Sequence, residues 1–188
     1  METERFEALI DAILAIILTI IVLEIPMAST GSWESLFEIR FDFIVYALSF
    51  LVIFNFWNYN NNIFSIVNKV NHKVMWYMGF SLFILSFLPY LTIFVAENFN
   101  SFTAHAAYGV DFIICGITAI FIANELKKSD KGNIALQVAL KNHKPLYYSI
   151  SIMIIGFIIG YFVYPPAITL CCLISIPALW IFSKHQIR

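Results

Sequence analysis

The apolar positions of this chain fall in long runs separated by short polar connections. From Ala12 to Leu23 the sequence holds one hydroxyl, Thr19, and no charge. About 20 mainly apolar residues at helical rise cross the roughly 30 Å hydrocarbon core of a bilayer. Six segments meet that length, at 5–25, 42–64, 74–96, 102–124, 146–164 and 166–184. Pro26 closes the first, and Lys144-Pro145 opens the fifth with proline in the first turn, where its missing N–H does no harm. Pro165-Pro166 forces a tight connection between the fifth and sixth. Pro89 and Pro177 fall inside the third and sixth, where each removes a backbone hydrogen bond and predicts a bend.

The polar connections carry the topology. With the N-terminus cytoplasmic, Lys69, Lys73, Lys127, Lys128, Lys131, Lys141 and Lys144 fall in inner loops. Arg5, Lys184 and Arg188 then lie at inner ends, and Arg40 stands alone outside. Ten of the 11 basic residues on one side predict that both termini are cytoplasmic, and an odd number of spans would destroy the asymmetry. The first segment begins with Glu2 and Glu4, is too long for a signal h-region and lacks a small-residue cleavage site, so it reads as retained. The outer connection 26–41, with Gly31, Ser32, Trp33 and Glu34, reads as a loop with an interfacial aromatic. In the inner linker 125–144, Ile134, Leu136, Val138 and Leu140 predict an amphipathic turn on the membrane surface. The expectation is an all-α integral membrane protein, with one six-helix domain over 1–188.

Composition agrees with the pattern. The 188 residues are 61% hydrophobic and 12% charged, with a mean hydropathy of +0.83, far from a soluble domain. A net charge of −1 provides no basic surface for phosphates, which excludes a nucleic-acid partner. Cys115, Cys171 and Cys172 sit in apolar runs without metal-ligand spacing and read as small buried residues. His72, His143 and His185 fall in inner polar segments and read as solvated; His105, near the outer end of the fourth span, has no visible partner in sequence. No H-E-x-x-H, G-x-S-x-G or P-loop pattern occurs, so neither an enzyme nor a bound cofactor or metal is expected. No internal repeat relates 1–96 to 97–188, which argues against a secondary transporter.

Ionisable groups at the membrane edge are costly unless they face protein or water. Glu24, Glu97 and Glu125 lie close enough to helix ends for interfacial solvation, whereas Asp11 and Asp111 lie deeper. Arg5 and Asp11 are six residues apart, about 240° around a helix, so their partners should lie on other helices. The inner end of the second span offers candidates: Asn55, Asn58, Asn60, Asn61 and Asn62 around Trp57 and Tyr59. Their amides either hydrogen-bond across helices or cap their own helix end. On the first span, Ile16, Ile20 and Leu23 follow i, i+4, i+7 with Thr19 beside them. Such a stripe fits a lipid-facing, packed or pore-lining surface, and spacing alone does not choose among them.

The first span reads Arg5-x-x-x-Leu9-Ile10-Asp11, then Ala15-Ile16, Thr19 and Val22-Leu23-Glu24. It resembles the transmembrane protein 175 family, potassium channels without the usual selectivity filter, whose signature is Arg-x-x-x-Phe-Ser-Asp before a run ending in Val-Leu-Glu. Leu9 and Ile10 replace the family's Phe and Ser. The resemblance continues through Trp57, Leu88-Pro89-Tyr90-Leu91-Thr92 and Glu97, with Asn60, Asn61 and Asn62 where many members carry a basic cluster. It covers residues 5–98 by motif and 99–188 by helix count and topology.

The resemblance implies a homotetramer of six-helix chains in a bacterial inner membrane, with the first helices around a central pore. It implies a branched apolar ring at Ile16, further rings at Ile20 and Leu23, and a Thr19 ring favouring potassium ions. Arg5, Asp11, Asn58 and Asn61 would then form a polar network at the inner mouth. A proton-permeable or weakly selective pore is the alternative within transport. A non-conducting membrane scaffold is the alternative outside it.

Overall fold

The apolar runs become helices. A computed structural model describes residues 3–141 and 144–184, with side chains described over 4–141 and 146–176. His143, His185 and Arg188 lie outside the described residues, as do the side chains of Lys144, Pro145, Pro177 and Lys184. In order come α1 (Thr3–Leu23), α2 (Trp33–Glu38), α3 (Arg40–Phe64), α4 (His72–Leu85) and α5 (Leu88–Glu97). Then follow α6 (Phe102–Ser129), α7 (Ile134–Ala139), α8 (Lys144–Phe162) and α9 (Ala167–Lys184). No strand occurs among the described residues.

Four stretches of the described chain are long and apolar enough to cross a membrane: Glu4–Leu23, Arg40–Phe64, His72–Glu97 and Phe102–Ser129. The described apolar parts of the last two helices, Leu146–Phe162 and Ala167–Ile176, are shorter.

The third span is broken rather than bent. Pro89 has no N–H for the Leu85 carbonyl, so α4 stops at Leu85 and α5 restarts at Leu88. Between them Ser86 N–H bonds back to Leu82 at 3.0 Å and Phe87 N–H to Ile84 at 3.0 Å. The backbone of α9 is helical through position 177, without a comparable break.

The 26–41 connection contains one short helix. Ser32 caps α2 by accepting the Ser35 N–H at 3.3 Å, and Trp33 stays 88% exposed. The amphipathic turn foreseen around Leu136 is α7, capped by Asn133, which accepts the Leu136 N–H at 3.0 Å. Leu136 and Leu140 face inward, while Ile134 and Val138 are exposed.

Packing is organised around α6, which touches α4, α5, α8 and α9, while α1 packs on α3, α5 and α4. In lipid such contacts rest on close packing and interhelical hydrogen bonds rather than on escape from water. The α8–α9 hairpin achieves it with Gly156 and Gly160, four residues apart on one face. A Cβ at Gly156 would lie 2.7 Å from Cys171 Cβ, and one at Gly160 would lie 2.6 Å from Ile168. The interhelical hydrogen bonds come from a buried trio. Ser49 of α3 lies 2.7 Å from Thr92 Oγ1 of α5 and 3.0 Å from the Tyr108 hydroxyl of α6. Thr92 Oγ1 also donates to the Leu88 carbonyl one turn back in its own helix, at 2.7 Å.

At the N-terminal end of the bundle, two loops are clasped by side chains. Asp130 accepts the Asn68 N–H at 2.9 Å and the Asn133 amide at 3.0 Å. The Asn133 amide also reaches the Ile66 carbonyl at 2.5 Å. This clasp joins the α3–α4 loop to the α6–α7 loop.

Candidate functional site

Helix α1 has two apolar faces and only one of them meets the rest of its chain. Phe6, Ile10, Leu14, Ile17 and Ile21 are buried at helical spacing against α3, α4 and α5. The other face carries Ile16 (57% exposed), Ile20 (38%), Leu23 (80%) and the exposed Thr19. The stripe singled out in the sequence is therefore left uncovered by this chain.

Thr19 has a defined orientation on that face. Its hydroxyl donates to the Ile16 carbonyl one turn back at 2.8 Å. With the proton turned onto the helix, the oxygen's lone pairs remain for whatever lies off it. A group that only accepts is suited to a cation.

Asp11 finds its partner on another helix, as the six-residue spacing from Arg5 requires. The partner is Trp57 of α3, whose indole N–H donates to Asp11 Oδ1 at 2.9 Å. Glu7, Ile10, Asp11, Trp57, Asn60 and Asn61 line a crevice of about 20 Å³, room for one water molecule. Of the four residues foreseen as a polar network, Asp11 and Asn61 meet in this crevice, while Arg5 and Asn58 do not line it. Arg5 is exposed, and the ion pair formed among the described residues is Lys128–Glu125 at 2.6 Å. The buried Asn60 donates to Phe56 O of its own helix at 2.8 Å.

Two buried groups of α6 complete the inventory. His105 is fully buried between two partners, Thr169 Oγ1 and the Phe99 carbonyl, each at 2.7 Å. That corrects the expectation of a partnerless histidine; with both ring nitrogens engaged it staples α6 to α9 and to the α5–α6 turn. Asp111 is also buried, and its Oδ2 has no hydrogen-bond partner among the described residues. Cys115, Cys171 and Cys172 are free thiols, and the described residues bring together no cluster able to hold a metal ion.

The chain is similar to known proteins in sequence and in fold. The family model described as endosomal/lysosomal potassium channel TMEM175 matches residues 5–89, the region that holds Arg5, Asp11, Trp57 and Pro89. A Chryseobacterium sp. (strain P1-3) protein named potassium channel is 30% identical over 188 residues, covering 100% of this chain and 97% of its own. A Chamaesiphon minutus protein also named potassium channel is 31% identical over 102 residues, 51% of this chain and 50% of that one. The crystal structure described as a lysosomal potassium-selective channel TMEM175 homolog from Chamaesiphon minutus shares the fold. Its TM-score is 0.79 at 22% identity, over 97% of this chain and 98% of that chain. With a relative named potassium channel matching along the whole chain and the family model matching residues 5–89, the chain belongs to the TMEM175 family of potassium channels, which are ion channels and not enzymes.

Proposed function

We propose that this chain is a potassium-selective cation channel. It works as a homotetramer in the bacterial inner membrane, with six spans per chain and both termini cytoplasmic. The observation that carries this reading is the second apolar face of α1, with Ile16, Thr19, Ile20 and Leu23 all open and Thr19 already donating to its own helix. One such helix cannot enclose an aqueous path, so conduction needs several copies around an axis. The basic residues Lys69, Lys73, Lys127, Lys128 and Lys131, gathered at the end of the bundle that holds the start of α1, support the cytoplasmic assignment.

In this arrangement the Ile16 ring is narrow and apolar, and it gates by excluding water. Thr19 is one turn further along. Its oxygens replace part of the hydration shell that a cation leaves behind at Ile16. Potassium holds its water less tightly than sodium, so partial dehydration favours it without a carbonyl filter. Asp11, through Trp57 and with Asn61 beside it, holds the inner end of the helix, Arg5 and Asn58 lie at the same mouth, and none of the four is the filter.

Potassium flux into proteoliposomes tests the reading. Wild-type protein is expected to conduct potassium in preference to sodium, and Ile16→Asn to conduct faster with a weaker preference. Flux and preference both unchanged in that variant would reject the constriction. No flux above empty vesicles would favour a scaffold, and a reversal potential following the proton gradient would favour a proton pore.

A further inference from the structure

We infer that the groove between α1 and α4 is filled by the aromatic edge of α3 from the next copy of this chain, an inference that rests on the ring of copies proposed above. The groove has a volume of about 660 Å³ and is lined by Leu9 and Ile13 of α1 and by Met75, Trp76, Gly79 and Phe83 of α4. Its surface is almost wholly apolar. At Gly79 a Cβ would meet nothing within 4 Å, so the floor there is open.

A complementary surface lies on the opposite flank of α1. Around the helix Asp11 lies about 140° to one side of Ile16, and Ile13 about 60° to the other. The Asp11–Trp57 bond therefore puts α3 on one side of the open α1 face, and Ile13 puts the groove on the other. Along the α3 edge nearest α1, Tyr46, Phe50, Phe54 and Trp57 form a ladder of rings with successive centroids 6.3, 6.3 and 5.6 Å apart. Phe54 is 47% exposed and Phe50 is 38% exposed, although both are large aromatics. Aromatic side chains of this kind are enriched at protein interfaces.

Rotation about a central axis brings unlike flanks together, so the ladder of one copy meets the groove of the next, and the contact closes only when the ring is complete. Charge agrees with this pairing. The ladder's Trp57 end carries Glu7 and Asp11, and the groove begins at the same end of the bundle with the exposed imidazole of His72. Acid on one flank then meets His72 on the other.

Cysteine pairs in the full chain, expressed in membranes and oxidised there, test the pairing. Phe54→Cys with Gly79→Cys, and one turn further along Phe50→Cys with Phe83→Cys, are expected to give covalent dimers up to tetramers on non-reducing gels. With the partly exposed Cys171 replaced by Ser throughout, each single variant should stay monomeric on the gel, since Cys115 and Cys172 are buried. Ile16→Cys alone reports on the ring, by linking α1 to α1. Links at Ile16→Cys with neither pair linked would overturn the α3-in-groove contact and leave the ring standing, as would an acyl chain filling the groove. No links at any position, together with absent flux, would overturn the ring and this inference with it.

Discussion

Trp57 donates its indole N–H to Asp11 at 2.9 Å and so ties α3 to the first helix at the end where the charged residues gather. An aspartate at that depth in a membrane helix would otherwise be costly. The bond also fixes the rotation of α1. With Asp11 turned toward α3, Leu14 and Ile17 face the core and Ile16, Thr19 and Leu23 face away.

Trp57→Phe keeps a ring against Phe54 but removes the donor. The expected cost is about 1 kcal/mol, below the range for a bond to a charged group because this one is exposed. Asp11→Ala should cost a similar amount and loosen assembly, while Asp11→Asn keeps an acceptor and most of the stability. The double variant Trp57→Phe/Asp11→Ala should fall well short of the sum. Thermal melts of the detergent-solubilised protein supply the four values, and strict additivity would show that the pair does not act as a unit.

The clasp around Asp130 gives a pH dependence. Hydrogen bonds from the Asn133 side chain and the Asn68 backbone hold its carboxyl below the usual carboxylate range. A carboxylate with a lowered folded-state pKa contributes stability that is present above its unfolded value, about 3.9, and lost as pH falls through the folded value. The clasp should therefore loosen only below about pH 4. Asp130→Asn removes this dependence and lowers stability at pH 7. Hydrogen exchange of the Asn68 amide against pH measures it directly; protection unchanged down to pH 2 would remove Asp130 from the clasp.

The α8–α9 hairpin depends on the absence of a side chain at Gly156. An added methyl would sit 2.7 Å from Cys171 Cβ, an atom fixed to the backbone, so the helices must part. Gly156→Ala is expected to cost about 1–3 kcal/mol, the range for overpacking a close-fitted interior. At Gly116 the nearest contact would be an ordinary 3.7 Å from Ile150, so Gly116→Ala should be neutral or mildly stabilising through its helix preference. Melting temperatures of the two variants measured together decide the point.

Hydropathy alone located the four spans Glu4–Leu23, Arg40–Phe64, His72–Glu97 and Phe102–Ser129 to within about five residues, because length and apolarity are local properties. Pro89 marked its break for the same reason. The partners were harder to read. The asparagines after Trp57 drew attention as hydrogen-bonding groups, yet the bond to Asp11 comes from the indole, because Asn60 bonds to its own helix. His105 looked isolated because Thr169 lies 64 residues away in sequence. The Asn68–Asp130 clasp spans 62 residues and was equally hidden. Gly156-x-x-x-Gly160 is a signal for the α8–α9 contact that is visible in the sequence. Pattern reveals which face of a helix is apolar, but only tertiary contacts distinguish α1's packed face from its open one.

The orientation of Thr19 leads to a prediction about selectivity. Its hydroxyl proton is committed to the Ile16 carbonyl, so what it offers off the helix is oxygen lone pairs. Thr19→Val has nearly the same shape and removes that oxygen. If the oxygens replace water around a partly dehydrated ion, the variant should keep its stability and assembly while its potassium-over-sodium preference falls several-fold. Thr19→Ser restores the oxygen and should restore most of the preference. Bi-ionic reversal potentials in planar bilayers compare the three channels on one scale. A Val variant as selective as the wild type would transfer selectivity to the apolar ring at Ile16 alone and leave Thr19 with only its bond to the helix.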